Sequence, residues 1–264
     1  MSSRVETVID AARANGRGVL VGYLPAGFPD AETSIEALIA LSESGVDIIE
    51  LGVPYSDPVM DGLVIQRATN AALEGGFRLA HLFDIIRGVT AKVDTPILVM
   101  TYWNPVVQYG VDRFARDLKE AGGVGLITPD LIPDEASEWL AVSDAHGLDR
   151  VFLAAPSSTD ERLVSTINSS RGFVYAVSTM GITGARADVD VAARSLVTRL
   201  TGLGATHVCV GVGISNADHV RSVTGYASGA IVGSHLVSAL TTDGPAGVAR
   251  ATSELAEGLS AVQD

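Results

Sequence analysis

The sequence predicts an α/β fold, a (β/α)8 TIM barrel with an extra N-terminal helix, and three observations carry that prediction. Eight short runs rich in Val, Ile and Leu recur along the 264 residues. Segments of helical period lie between them, and strands alternating with helices imply right-handed crossovers around a parallel sheet. No Gly-x-Gly-x-x-Gly turn follows the first run, which weakens the open, dinucleotide-binding alternative. Barrels of this kind need about 250 residues, and no linker or low-complexity tract interrupts the chain, so a single domain over 1–264 is expected.

The elements follow in order. A helix from Val5 to Asn15 precedes the first strand and could plug the barrel bottom. The strands are Val19–Leu24, Asp47–Leu51, Pro96–Thr101, Gly125–Thr128, Arg150–Ala154, Phe173–Val177, His207–Gly211 and Ala230–Val232. Near-continuous apolar runs of this length suit strands covered on both faces. Between the first two, Ala31–Ser44 sets Ile35, Leu38 and Ile39 on one helical face, with Gly45 as a stop signal. After the second strand the chain runs from Gly52 to about Gln66 before a helix resumes. Further helices are expected over Val111–Glu120, Asp134–His146, Asp160–Ser169, Val189–Leu203, Asn216–Tyr226 and Pro245–Val262.

Composition narrows the function. With 18 Lys and Arg against 31 Asp and Glu, the net charge is −13. Such a surface repels nucleic acid and anionic lipid, so neither is expected as a partner. A phosphorylated substrate stays allowed, because N–H groups at helix starts bind phosphate without Lys or Arg. The N-terminus lacks a signal-peptide core and no apolar run reaches the ~20 residues that span a bilayer, so a cytoplasmic location is expected. Cys209, the one cysteine, reads as a small core residue. His81, His146, His207, His219 and His235 are scattered without ligand spacing, so no metal is expected. Lys92 and Lys119 fall outside the strand ends, which argues against Schiff-base chemistry.

Two carboxylates draw attention. Glu50 sits in the run Ile48-Ile49-Glu50-Leu51 near a strand's C-terminal end, the end where a barrel places its chemistry. Alternation puts it on the face of Ile48. If that face points inward, burial raises its pKa toward that of a general acid or base near neutral pH. The alternative is a carboxylate held by a structural partner. Asp61 follows on the connection after the same strand, and could accept a hydrogen bond from a substrate N–H or simply form an Asp-Gly turn. Glycine-rich turns follow the last three strands, at Gly181-Ile182-Thr183-Gly184, Gly211-Val212-Gly213-Ile214-Ser215 and Gly233-Ser234. Together they suit a phosphate cradle of backbone N–H groups.

These residues resemble one family. The run Glu50-Leu51-Gly52-Val53-Pro54-Tyr55-Ser56-Asp57-Pro58, followed by Asp61-Gly62, is similar to the signature of tryptophan synthase α subunits. The likeness extends through Tyr102 and Asn104, Pro129-Asp130-Leu131-Ile132-Pro133, Phe173-Val174-Tyr175 and the glycine turns. It implies cofactor-free retro-aldol cleavage of indole-3-glycerol phosphate to indole and glyceraldehyde 3-phosphate. Glu50 would be the general acid/base, Asp61 the acceptor for the indole N–H and Tyr175 a pocket hydroxyl. Thr183 would be the lid residue, and Gly184, Gly213, Gly233 and Ser234 the phosphate clamp. Leu126, Leu153 and Ile65 are candidates for the apolar indole wall. The resemblance also implies a partner, a β subunit carrying pyridoxal phosphate in an α2β2 complex. Pro54, Asp57, Asn104 and Pro133 would face it. Two departures stand out: Leu63 where the family usually has Pro, and Phe28 where it often has Asp. The alternatives are a different phosphate-binding barrel enzyme, a non-catalytic activator of a β subunit, and a lyase that needs no partner.

Overall fold

The computed structural model describes residues 3–177 and 186–259. Its elements run α1 (Arg4–Ala14), β1 (Val19–Pro25), α2 (Ala31–Glu43), β2 (Ile48–Gly52), α3 (Leu63–Glu74), α4 (Leu79–Thr90) and β3 (Ile97–Met100). They continue through α5 (Trp103–Tyr109), α6 (Val111–Ala121), β4 (Gly125–Thr128), α7 (Ser137–His146), β5 (Asp149–Ala154), α8 (Asp160–Ser169) and β6 (Val174–Val177). The last are α9 (Arg186–Gly202), β7 (Val208–Gly211), α10 (Ala217–Thr224), β8 (Gly229–Val232) and α11 (Ser234–Ala256). The strands pair in parallel, each with the next, and β8 returns to β1 to close the barrel.

The core divides by strand parity. Val19, Val21, Ile48, Leu98, Ile127, Val151, Phe173, Cys209 and Ile231 fill the barrel interior. Leu20, Leu24, Ile49, Leu51 and Leu126 point outward into the layer beneath the helices. Both faces of each strand are therefore apolar, the condition behind the uninterrupted runs in the sequence.

The N-terminal helix closes the bottom. Val5, Ile9 and Ala12 of α1 join the interior cluster. Ser3 caps α1 by accepting from the Glu6 N–H, and its hydroxyl donates to Asp149 at 2.8 Å. Glu6 accepts from the Gly172 N–H at 3.1 Å, so both ends of the first turn are tied to the barrel wall.

Several expectations need correction. Helices α4 and α5 occupy stretches left unassigned above, and α3 starts at Leu63, earlier than the expected Gln66. The expected helix from Asp134 is a 3-10 turn over Pro133–Glu135 followed by α7. The helix expected from Pro245 does start there, but Gly244 (φ 64°, ψ −155°) joins it across a kink to a preceding helix from Ser234 that the sequence did not suggest. Asp47 stands just before β2, where it takes both guanidinium nitrogens of Arg17 at 2.8 and 2.7 Å and the Leu20 N–H at 2.9 Å.

Candidate active site

The C-terminal end of the barrel opens into a cavity of about 370 Å³. Inward parity brings Tyr23 from β1, Glu50 from β2, Met100 from β3, Leu153 from β5 and Tyr175 from β6 to its floor and walls. The connection after β2 supplies Met60 and Asp61, and α3 supplies Ile65. The glycine turns after β7 and β8 form another side, with Gly211, Gly213, Ser215, Gly233, Ser234 and His235. Glu50, Asp61, Tyr175, Gly213, Gly233 and Ser234 thus meet in one cavity. Thr183 and Gly184 lie outside the described residues.

Glu50 points inward and is 1 % exposed. Its Oε2 has no hydrogen-bond partner among the described residues. Burial pushes its pKa up to about 8, with the nearby Asp61 carboxylate adding to the rise. The structural-partner alternative finds no cation here: among the described residues, no Lys or Arg lines the cavity. A carboxyl that is neutral near pH 7 in a water-poor site can deliver a proton. The neighbouring phenols stay neutral too, since burial drives Tyr23 and Tyr175 well above the usual tyrosine range, with Glu50 adding to both.

Asp61 is half-buried, and desolvation raises its pKa while a hydrogen bond with Tyr102 opposes the rise. Tyr102 is the organiser of this connection. Its hydroxyl accepts from the Val59 N–H at 3.0 Å and the Met60 N–H at 2.8 Å. A hydroxyl has two acceptor sites and one donor, so donation to Asp61 completes its capacity. The sequence reading placed Tyr102 in a motif without assigning it to the site. Tyr23, two residues beyond Val21 on β1, shares its inward face and went unnoticed in the sequence.

The glycines here have steric reasons. A Cβ on Gly52 would lie 2.3 Å from the Tyr23 hydroxyl oxygen, and one on Gly211 would lie 2.7 Å from that of Tyr175. Both strand ends are bare so that two phenol rings can flank Glu50. Gly213 takes φ +68°, a conformation side chains rarely adopt. Gly233 precedes α11 without a side-chain cap, so the first N–H groups of that helix face the cavity free to bind an anion.

Of the three wall candidates, Ile65 and Leu153 line the cavity. Leu126 does not: it lies on the outward face of β4, one residue from inward-facing Ile127. Outside the cavity, Asp57 and Asn104 are exposed and Pro133 is partly exposed on the same barrel end, whereas Pro54 is buried within the chain and offers little surface. Asn104 donates to the Tyr55 hydroxyl at 3.2 Å, and the Tyr55 and Tyr102 rings lie 5.3 Å apart. Phe28 belongs to the outer apolar layer. Among the described residues, no group of three or more His, Cys, Asp or Glu could hold a metal. No described helix is long and apolar enough to cross a membrane.

Comparison with known proteins gives a consistent result. A family model described as the tryptophan synthase alpha chain matches residues 9–263. The tryptophan synthase alpha chain of Leifsonia xyli subsp. xyli is 63% identical over 256 residues, covering 97% of this chain and 98% of that one. A structure of tryptophan synthase from Mycobacterium tuberculosis superposes with TM-score 0.92 at 53% identity, covering 98% of this chain and 99% of that one. The α2β2 tryptophan synthase complex of the hyperthermophile Pyrococcus furiosus contains a chain that superposes with TM-score 0.85 at 37% identity, covering 92% and 98%.

Proposed function

The chain belongs to the tryptophan synthase alpha chain family and is the indole-3-glycerol-phosphate lyase component of that enzyme, and we propose that Glu50, Asp61 and Tyr175 perform the cleavage. Glu50 delivers its proton to C3 of the indole ring, which makes the ring a leaving group. The resulting carboxylate takes the proton of the chain hydroxyl beside the ring. The carbon–carbon bond breaks, its electrons restore the indole, and the carbinol carbon becomes the aldehyde of glyceraldehyde 3-phosphate. Glu50 ends as it began, so the reaction needs no cofactor in this chain.

Asp61, ionised, accepts the indole N–H and stabilises the positive charge that develops on the ring. Tyr175 holds a chain hydroxyl from the other flank. The phosphate sits on the N–H groups around Gly213, Gly233 and Ser234, with Gly184 completing the clamp and Thr183 closing over Asp61. No cation is needed there, because the N-terminal dipole of α11 and its free donors favour an anion. Ile65 and Leu153 supply the apolar wall for the ring.

Indole passes to a β subunit that carries pyridoxal phosphate, within an α2β2 complex in the cytoplasm. Asp57, Asn104, Pro133 and the buried Pro54 belong to the end of the barrel that meets it, and the chain acts as one barrel domain over 1–264. The observation that carries the reading is a buried, neutral carboxyl in a cavity that also contains an uncapped helix start and glycine turns.

The test is indole release from indole-3-glycerol phosphate by the chain with its β subunit. Glu50→Gln should lower kcat by about 10²–10⁴, the range for loss of a general acid/base. A wild-type chain that releases no indole would refute the lyase reading; a Gln variant of wild-type rate would refute the role of Glu50.

A further inference from the structure

We propose that Tyr23 is a substrate-binding residue whose phenol hydroxyl donates a hydrogen bond to a hydroxyl of the three-carbon chain between indole and phosphate. The inference rests on the lyase reading above and adds a contact to it. Tyr23 is the direct register partner of Glu50 on the neighbouring strand, and one residue earlier Gly22 pairs with Val232, just before Gly233. Its ring spans the two working regions of the cavity. At its root, a Cβ on Gly233 would lie 3.5 Å from Cδ1 and 3.6 Å from Cβ of Tyr23. At its tip, the hydroxyl lies over Gly52, two residues beyond Glu50. A substrate with its phosphate at the Gly233 turn and its reacting carbon at Glu50 lays its carbon chain along this ring. The chain hydroxyls are the polar groups it presents at that point.

The hydroxyl is suited to meet one. Tyr23 is 6 % exposed. No hydrogen bond to a described residue ties its oxygen down, and the side chain lines the cavity. A phenol hydroxyl that is not committed within the chain can donate to a group that enters the cavity. Burial and the two carboxylates hold the phenol protonated, so it can act as a donor across the neutral range. The ring needs only the space that Gly52 leaves, which explains why a strand end with no turn to make carries glycine.

The experiment compares wild type with Tyr23→Phe, each with its β subunit. It measures kcat/KM for indole-3-glycerol phosphate and Kd for indole-3-propyl phosphate, which keeps the ring and phosphate but lacks both chain hydroxyls. The variant should lose about tenfold in kcat/KM, as expected for one hydrogen bond, while Kd for the propyl phosphate stays within twofold. An unchanged kcat/KM overturns the proposal. So does an equal loss for substrate and deoxy analogue, since the hydroxyl would then act through packing. Absence of indole release by wild type would instead overturn the reading beneath it, and the control separates the two failures.

Discussion

Ionising Glu50 inside the barrel costs the folded chain free energy that the unfolded chain does not incur, and the sign of that difference can be measured. An unfolded glutamate titrates near 4.5, whereas burial raises Glu50 to about 8. Below pH 4.5 both states keep the proton and Glu50 adds no pH dependence. Between the two values the unfolded chain has released its proton and the folded chain has not, so stability falls as pH rises, by up to ~1.4 kcal/mol per pH unit. Above pH 8 the cost is complete. Glutamine cannot ionise, so Glu50→Gln should leave Tm nearly unchanged at pH 4.5 and raise it progressively toward pH 9, by on the order of a few kcal/mol in stability. A Tm difference that does not vary with pH would mean that the carboxyl is already charged when folded. Activity should show the complementary profile. Log kcat/KM should fall above about pH 8 as Glu50 loses its proton, and on the acid side as Asp61, itself raised by burial, gains one. An inactive acid limb with no alkaline limb would contradict the assignment of Glu50 as the acid. The sequence made Glu50 visible because a carboxylate inside an apolar run is unusual. It concealed Tyr23, because an aromatic residue at a strand end looks like any other core side chain.

The connection between β2 and α3 is held at Val59 and Met60 by a side chain from β3's end and at Asp61 by Gln66, whose amide donates to the Asp61 carbonyl at 2.7 Å. Tyr102 binds the Val59 and Met60 N–H groups and steadies Asp61. Removing its hydroxyl in Tyr102→Phe should leave Tm within a few degrees, lower kcat/KM about tenfold, and move the acid limb of the pH profile upward, since the hydrogen bond that favours the Asp61 carboxylate is lost. An acid limb that stays in place would show that Tyr102 does not act through Asp61. Leu63 offers the opposite change. It is 69% exposed and is the first residue of α3, after Gly62 at φ −72°, ψ 162°. Proline suits that position, because its missing N–H would be unpaired there and the preceding backbone is already extended. Leu63→Pro should stabilise by about 0.4–1 kcal/mol and modestly raise activity or coupling; equal steady-state rates with and without the β subunit would count against it. The elements also show what could be read beforehand. Strands were legible because doubly buried runs stay apolar throughout, yet for the same reason the runs gave no parity, and Leu126 was taken for a wall residue although it faces the helices. A helix was expected to resume near Gln66, where α3 lies, but α4 and α5 were not assigned.

At the scale of the whole barrel, stability and chemistry occupy opposite ends. The bottom is sealed by α1, whose Val5, Ile9 and Ala12 complete the interior core. The top carries the cavity, and beside it apolar side chains remain uncovered. Val107 is 47% and Ile132 43% exposed. Asn104 and Val107 lie one turn apart on α5 and so share a face. Ile132 precedes Pro133, and the two segments are tied where the Trp103 N–H donates to Asp130 at 2.9 Å. Exposed Val and Ile on one end, beside the residues we propose for the partner contact, fit the core of an interface with a polar rim. This surface also touches the site: Asn104 reaches Tyr55, Tyr55 stacks near Tyr102, and Tyr102 fixes the Asp61 connection. Docking of the β subunit there would therefore bias the same connection that positions Asp61. Charging the patch in Val107→Asp and Ile132→Asp should weaken the complex by on the order of 1–3 kcal/mol each, read as a higher β-subunit concentration for half-maximal indole release. The rate at saturating β subunit and the Tm of the isolated chain should stay close to wild type, since neither side chain is buried. Unchanged half-saturation in both variants would move the interface away from α5 and the turn after β4.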